Sequence, residues 1–192
     1  MNKKIVFICW VSWSGKWTII NALLNTGNFK YFPSYVTRDI RPWEINWERY
    51  IFISNEEFKK SLEKNEFLEY NLVHNQNKYY WTKKDIINWL KWDKIPLKEV
   101  DMIWLEKMIK SWEIKDRFLS IFLDVSNETM IKRIHKRWAP ISDEELEKRL
   151  ASAKIERKLA KKFSTHIINI DWWTESENIN KVITILKKES II

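Results

Sequence analysis

Glycine is almost missing from this chain: two residues in 192, where average usage of about 7% would give roughly 13. The chain therefore has little of the residue that supplies left-handed turns and lets backbone approach a ligand closely. Cysteine is rarer still. Cys9 stands alone, so no internal disulfide can form and a cytoplasmic location is expected. Its place in an apolar strand pattern marks a buried, inert thiol. Long apolar runs are absent too. The longest clean run, Ile5 to Val11, has seven residues against the roughly 20 of a membrane span, and no signal peptide is expected before it. No Pro/Gly/Ser linker or internal repeat divides the sequence. It reads as one domain with a full core and room for inserted lobes.

What is abundant is tryptophan, at 13 residues. Ile8 to Thr18 reads ICWVSWSGKWT and falls just short of a phosphate-binding loop, whose pattern is Gly, four residues, Gly, Lys, Ser/Thr and whose glycines let backbone N–H groups close on phosphate oxygens. Gly15 and Lys16 are in place. Trp10 takes the first glycine position, Trp13 a position where small residues are usual, and Trp17 the hydroxyl position. An indole at any of these would fill the volume the phosphate needs. The same residue recurs in polar turns, at Arg41-Pro42-Trp43-Glu44, Asn46-Trp47-Glu48 and Lys91-Trp92-Asp93, and in the loop holding Trp172 and Trp173. Glycine serves such turns and tryptophan does not. The glycine deficit nearly equals the tryptophan count, and the codon UGA is read as tryptophan in one genetic code and glycine in another. Most of these tryptophans are therefore expected to stand where the natural protein has glycine. A naturally Trp-rich protein is the alternative.

The formal charge is +8, compatible with a nucleic-acid or a polyphosphate partner. Of the 34 basic residues only eight are arginine, and the lysines are spread along the chain as a solvated surface. The arginines are the informative minority, because guanidinium grips phosphate bidentately and ammonium does not.

Periodicity predicts alternating strands and helices: a strand over Lys4 to Cys9, a helix over Trp17 to Leu24, and a strand over Tyr50 to Ser54 before a helix opened by a Ser54/Glu57 capping box. Further strands are expected over Ile95 to Val100, Phe118 to Val125 and Ile167 to Ile170, and a long charged helix from about Ser142, where Ser142 and Glu145 offer a second box. This is an α/β pattern with a parallel sheet flanked by helices. In it, the loop after the first strand meets a helix N-terminus, the positive end that favours an anion.

With glycine at the Trp positions the loop becomes GVSGSGKGT. Ser34-Tyr-Val-Thr37-Arg38-Asp-Ile-Arg41-Pro42-Trp43-Glu44, then Trp47, Tyr50 and Phe52, resembles the GMP-binding signature of guanylate kinases. Glu66 to Glu69, Asn77 to Thr82 and Glu99 to Trp104 are similar to that family's later motifs, in order, from about Lys4 to about Asp171. The resemblance implies a P-loop NTPase core (residues 1–33, 86–125 and 161–192), a GMP-binding insert near 34–85 and a helical arginine lid near 126–160. It also implies transfer of the γ-phosphoryl group of ATP to GMP, with Mg²⁺ between the β- and γ-phosphates.

Residue by residue, the resemblance assigns ATP phosphates to Trp10, Val11, Ser12, Trp13, Ser14, Gly15, Lys16, Trp17 and Thr18. It assigns the guanine donors to Glu69 and guanine O6 to Ser34 and Thr82. The GMP phosphate falls to Arg38, Arg41, Tyr50 and Tyr80. Transition-state charge falls to Lys16 and to the lid residues Arg133, Arg137 and Arg149, and a site carboxylate to Asp101. The chemistry agrees: an ionised carboxylate accepts two adjacent donors, which guanine presents and adenine does not. Even with glycine at position 17 the usual hydroxyl ligand to Mg²⁺ is missing there, and Thr18 is the nearest substitute. Ile103 replaces a common glutamine and Ala139 a common threonine. His74, His135 and His166 show no ligand spacing, so no protein metal site is expected. Two other readings remain: a non-catalytic module of the same family, which would not need Lys16 and the lid arginines, and a basic Trp-rich nucleic-acid binder, whose tryptophans would not sit at turns.

Overall fold

A computed structural model describes residues 4–11, 14–42, 44–73, 78–91, 93–110, 114, 116–137, 141–171 and 174–192. Its centre is a five-stranded parallel sheet in the order β2-β7-β1-β8-β9, made of β1 (Ile5–Trp10), β2 (Phe29–Tyr31), β7 (Ile95–Glu99), β8 (Phe118–Asp124) and β9 (His166–Asn169). Ile5 to Cys9 and Leu119 to Leu123 are buried at every position, as strands covered on both faces must be. The helices are α1 (Lys16–Asn25), α3 (Met102–Lys110), α4 (Asn127–Arg137), α5 (Asp143–Phe163) and α6 (Glu175–Lys188); α1 packs on α6 and α3 on α5. The α/β expectation holds. Each expected element is present within a residue or two, the strand from Tyr50 ending at Phe52 instead of Ser54.

Residues 34–83 build a second, four-stranded sheet in the order β4-β3-β6-β5, from β3 (Ser34–Val36), β4 (Tyr50–Phe52), β5 (Phe67–Val73) and β6 (Lys78–Lys83). Strand side chains alternate between faces, and the register sorts this sheet accordingly. Tyr35 pairs with Ile51 and Trp81, and Trp81 with Tyr70. That row faces α2 (Asn55–Glu63), where Phe58, Phe67 and Trp81 form a second core. The other face carries Tyr50 paired with Ser34, Glu69 paired with Thr82, and Val36 paired with Tyr80. Continuing the register puts Ser34 beside Thr82, so Tyr50, Ser34, Thr82 and Glu69 cross the sheet in one row.

Local chemistry sets the helix starts. Ser54 and Glu57 form the full capping box at α2, while Ser142 accepts from Glu145 N without the reciprocal half. Thr174 and Glu177 box α6. Residues 84–91 form a 3₁₀ helix that the periodicity did not predict. Among the described residues no helix is long and apolar enough to cross a membrane.

Candidate functional site

The loop after β1 ends on Gly15, whose φ of 79° and ψ of 28° lie in the left-handed region, and α1 begins at Lys16 with no side-chain cap. Thr18 N bonds Gly15 O at 3.1 Å, and no side chain caps the N–H groups before it, the condition an anion site at a helix start requires. Val11 N bonds Leu123 O at 3.2 Å and Ser14 N bonds Val11 O at 3.2 Å, folding the loop back onto the sheet. Ser12 and Trp13 lie outside the described residues. Trp10 belongs to β1 rather than to the loop, and the indoles of Trp10 and Trp17 are accommodated, half-buried, against the core. The cost falls on Lys16. Its Nζ sits 4.0 Å from the Trp10 ring centroid and 5.8 Å from that of Trp17, a cation–π arrangement, and burial pushes its pKa down. Arg49, which the sequence reading did not single out, lies 3.8 Å over the Trp17 ring.

On the polar face of the second sheet the assigned residues do converge. Glu69 is 5% exposed. Its Oε1 accepts from Thr82 Oγ1 at 2.8 Å, while Oε2 is buried with no partner. Burial raises its pKa to about 7, opposed by the Thr82 hydrogen bond and the Lys98 ammonium. Thr82 thus differs from the expectation: its hydroxyl hydrogen is committed to the carboxylate, which it orients, and is not available to a purine oxygen. Ser34 Oγ accepts from Lys98 Nζ at 2.7 Å.

Beyond this row, Arg38 donates from Nε to Tyr80 Oη at 2.7 Å and grips Glu44 with both Nη atoms at 2.5 and 2.6 Å. Such a two-pronged bond is the strongest form of the contact. It raises the Arg38 pKa and lowers that of Glu44. Tyr50 and Phe52 pack below the guanidinium, 5.0 and 5.1 Å from it. Arg41 is exposed, with its backbone N–H on Glu44 at 3.0 Å. In this arrangement Arg38 is neutralised by Glu44, and a phosphate dianion would have to compete with that carboxylate for the guanidinium fork.

The remaining assignments are not gathered there. Asp101 Oδ1 accepts from Trp104 N at 2.9 Å, so this carboxylate caps α3; burial raises its pKa. Arg133 reaches Ile170 O at 3.4 Å, and Arg149 pairs with Glu145 at 2.8 Å within its own helix. Arg137 is on α4, and its side chain lies outside the described set. Lys98, Glu99, Glu44, Glu156 and Arg157 are site neighbours that the sequence reading did not assign. Tyr31 donates to Glu99, a buried carboxylate that burial pushes up. Glu156, raised to about 7 by burial, is close enough to Asp101 and Lys16 to feel their charges. Arg157 bonds Asp124 at 2.8 Å and ties α5 to the end of β8. A lysine inside the apolar strand Ile95–Glu99 was the one visible signal for Lys98.

A parallel sheet whose first strand feeds a left-handed glycine, a lysine and an uncapped helix, beside a lobe that presents arginines and phenols, defines a nucleotide phosphate-binding α/β protein of the P-loop class. The family model for guanylate kinase matches residues 2–188. A guanylate kinase from Porphyromonas gingivalis is 35% identical over 184 residues, covering 94% of this chain and 96% of that one. One from Buchnera aphidicola is 34% identical over 194 residues, covering 98% and 87%. The crystal structure of guanylate kinase from Anaplasma phagocytophilum superposes with a TM-score of 0.73 over 99% of this chain and 87% of that one, at 21% identity, and supports the fold. The chain belongs to the guanylate kinase family.

Proposed function

We propose that this protein transfers the γ-phosphoryl group of ATP to GMP, giving ADP and GDP. One observation carries the substrate choice: the buried Glu69 carboxylate, with one oxygen taken by Thr82 and the other unpartnered, at the end of the row from Tyr50. Guanine supplies N1–H and an exocyclic amine side by side. Adenine would set a lone pair against the same oxygen, and leaving such buried groups unpaired can cost about 10⁴ in discrimination. Ser34 would meet O6, and Arg38, Arg41, Tyr50 and Tyr80 would hold the phosphate.

On this reading ATP phosphates lie along residues 10–18, and residues 34–85 and 126–160 act as GMP insert and lid. Phosphoryl transfer asks for positioning and charge neutralisation more than covalent chemistry. Lys16, Arg133, Arg137 and Arg149 supply cations, and Arg133 and Arg149 must leave Ile170 and Glu145 to do so, a closure that also excludes water. Asp101 remains assigned as a site carboxylate near the acceptor nucleotide or the metal's water shell, in addition to capping α3. Mg²⁺ favours phosphate oxygens, water and one or two carboxylates. The Thr18 hydroxyl and the Asp101 carboxylate are donors of that kind, and among the described residues no group of three or more His, Cys, Asp or Glu could cage a metal. When bound with ATP it offsets charge between the β- and γ-phosphates. The partners are small molecules and not nucleic acid, and the setting is cytoplasmic.

The same proposal includes glycine at most Trp positions in the natural protein. Trp47 supports it: the residue is 68% exposed at φ 71°, a conformation glycine adopts freely. So does the capture of Lys16 by Trp10. Trp81 argues the other way, being fully buried and stacked 5.5 Å from Tyr35, although its Nε1 has no partner.

Calorimetric titration with GMP and AMP tests the substrate assignment. GMP is expected to bind and AMP not to; equal binding of both would refute it.

A further inference from the structure

We infer that Lys98 is a positioning residue for purine recognition, fixing the Ser34 hydroxyl as a hydrogen-bond donor toward the 6-oxo group of the base. The inference rests on the guanylate kinase reading and extends it to a residue buried behind the site.

Lys98 lies on β7, an interior strand of the five-stranded sheet between β2 and β1, and is 0% exposed. A lysine this deep is rare, because its ammonium loses hydration, and it persists where polar groups receive it. Here Nζ donates to Ser34 Oγ at 2.7 Å and, more weakly, to Phe32 O at 3.4 Å. The five-stranded sheet thereby reaches into the first residue of the second one.

The direction of that bond decides what Ser34 can do. A hydroxyl has one hydrogen and two lone pairs, whereas an ammonium has three hydrogens and nothing to accept with. Ser34 must therefore accept from Lys98, and its own hydrogen is left for another partner. Among the described residues, Lys98 is the one hydrogen-bond partner of the Ser34 side chain. Without the lysine the hydroxyl could turn inward and donate to the chain, presenting a lone pair to the ligand instead. A lone pair against a purine 6-oxo group repels, and against the 6-amino group of adenine it attracts. Thr82 cannot substitute, since its hydrogen is held by Glu69. Lys98 thus selects the donor state of Ser34, while its charge stands behind Glu69 and favours the carboxylate.

The test is calorimetric GMP titration of the full chain, prepared both with its tryptophans and with glycine in their place, bearing K98M, K98Q, S34A or S34A with K98M. Cooperative melting of each variant is the control. In each form that binds GMP, K98M is expected to weaken binding about tenfold, and K98Q, which keeps an N–H donor, to stay within about threefold of the parent. In the S34A background K98M should cost less than about twofold, because a residue acting through Ser34 has nothing left to act on. A loss of about twofold or more in that background, or an undiminished affinity in K98M, overturns the inference alone. If K98M does not fold, a loss greater than about threefold in K98Q overturns it equally. A parent chain that binds no GMP in either form overturns the substrate reading and this inference with it.

Discussion

Thr82 Oγ1 donates to Glu69 Oε1 at 2.8 Å and leaves Oε2 buried without a partner. The pair holds a carboxylate edge ready for a base with two adjacent donors. Replacing Glu69 with glutamine keeps the shape and turns one acceptor into a donor. E69Q should weaken GMP binding by about 10² or more, with ATP affinity at the first loop changed by less than about twofold. Parallel titrations with GMP and ATP measure both, and unchanged GMP affinity would remove Glu69 from the site.

The same carboxylate gives the site a pH dependence. Burial raises Glu69 to about 7, with the Asp101 carboxylate acting in the same direction and the Thr82 hydrogen bond and the ammonium groups of Lys98 and Lys107 opposing it. GMP needs the ionised form, so affinity follows the ionised fraction: it rises as pH goes from about 6 to about 8 and falls as the carboxyl takes up its proton. Lys98, whose ammonium favours that ionised form, is itself lowered to about 8 by burial. Titrations across this range should show GMP affinity climbing several-fold more steeply in the parent than in E69Q, whose smaller rise reports the second ionisation of the GMP phosphate at a pKa of about 6. A flat parent profile would contradict the assignment.

Tyr80 accepts the Arg38 Nε hydrogen at 2.7 Å, while Glu44 holds the two Nη atoms. Y80F removes one bond to a charged donor and leaves the fork on Glu44 intact. A loss of about tenfold in GMP affinity is expected, with a melting temperature within about 2 °C of the parent. A large loss of stability with unchanged affinity would make the contact structural.

Much of this was legible because regular periodicity reports buried faces directly. The apolar pattern over Lys4 to Cys9 predicts the first strand, found at Ile5–Trp10, and Ser54 with Glu57 predicts the start of α2, as found. Motif resemblance, and not spacing, marked Ser34, Glu69, Tyr80 and Thr82, which share the second sheet's polar face. What it could not supply is direction. Thr82 read as a free donor until its hydrogen was seen committed to Glu69. Lys98 was one lysine among 26 until its burial appeared, and Asp101 gave no sign that it caps α3. Arg133 and Arg149, assigned to a lid by resemblance, contact Ile170 O and Glu145 here, which their sequence setting gave no means to foresee.

The coding DNA tests the tryptophans one by one. UGA is expected at Trp10, Trp13, Trp43, Trp47, Trp81, Trp104 and Trp138; UGG at most of them would falsify the recoding. Trp81 is the most informative codon. Its indole fills the core between Phe58, Phe67 and Tyr35, so glycine there requires those rings to close over the gap, at a cost that large-to-small core changes put at about 3 to 5 kcal/mol before repacking.

As a GMP-dependent kinase, this protein is expected to work with glycine in its first loop and to be blocked by indole there. Lys16 lies over the Trp10 ring, a contact that competes with a phosphate for its ammonium, and losing even one well-placed donor can cost about 10² to 10³ in rate. Coupled assay of ADP release from ATP and Mg²⁺, with GMP or AMP as acceptor, should be run side by side on the chain with its 13 tryptophans and on the same chain with glycine at each. GMP-dependent release from the glycine form and none from the tryptophan form is the predicted result. Robust release from the tryptophan form, or none from a folded glycine form, would contradict it.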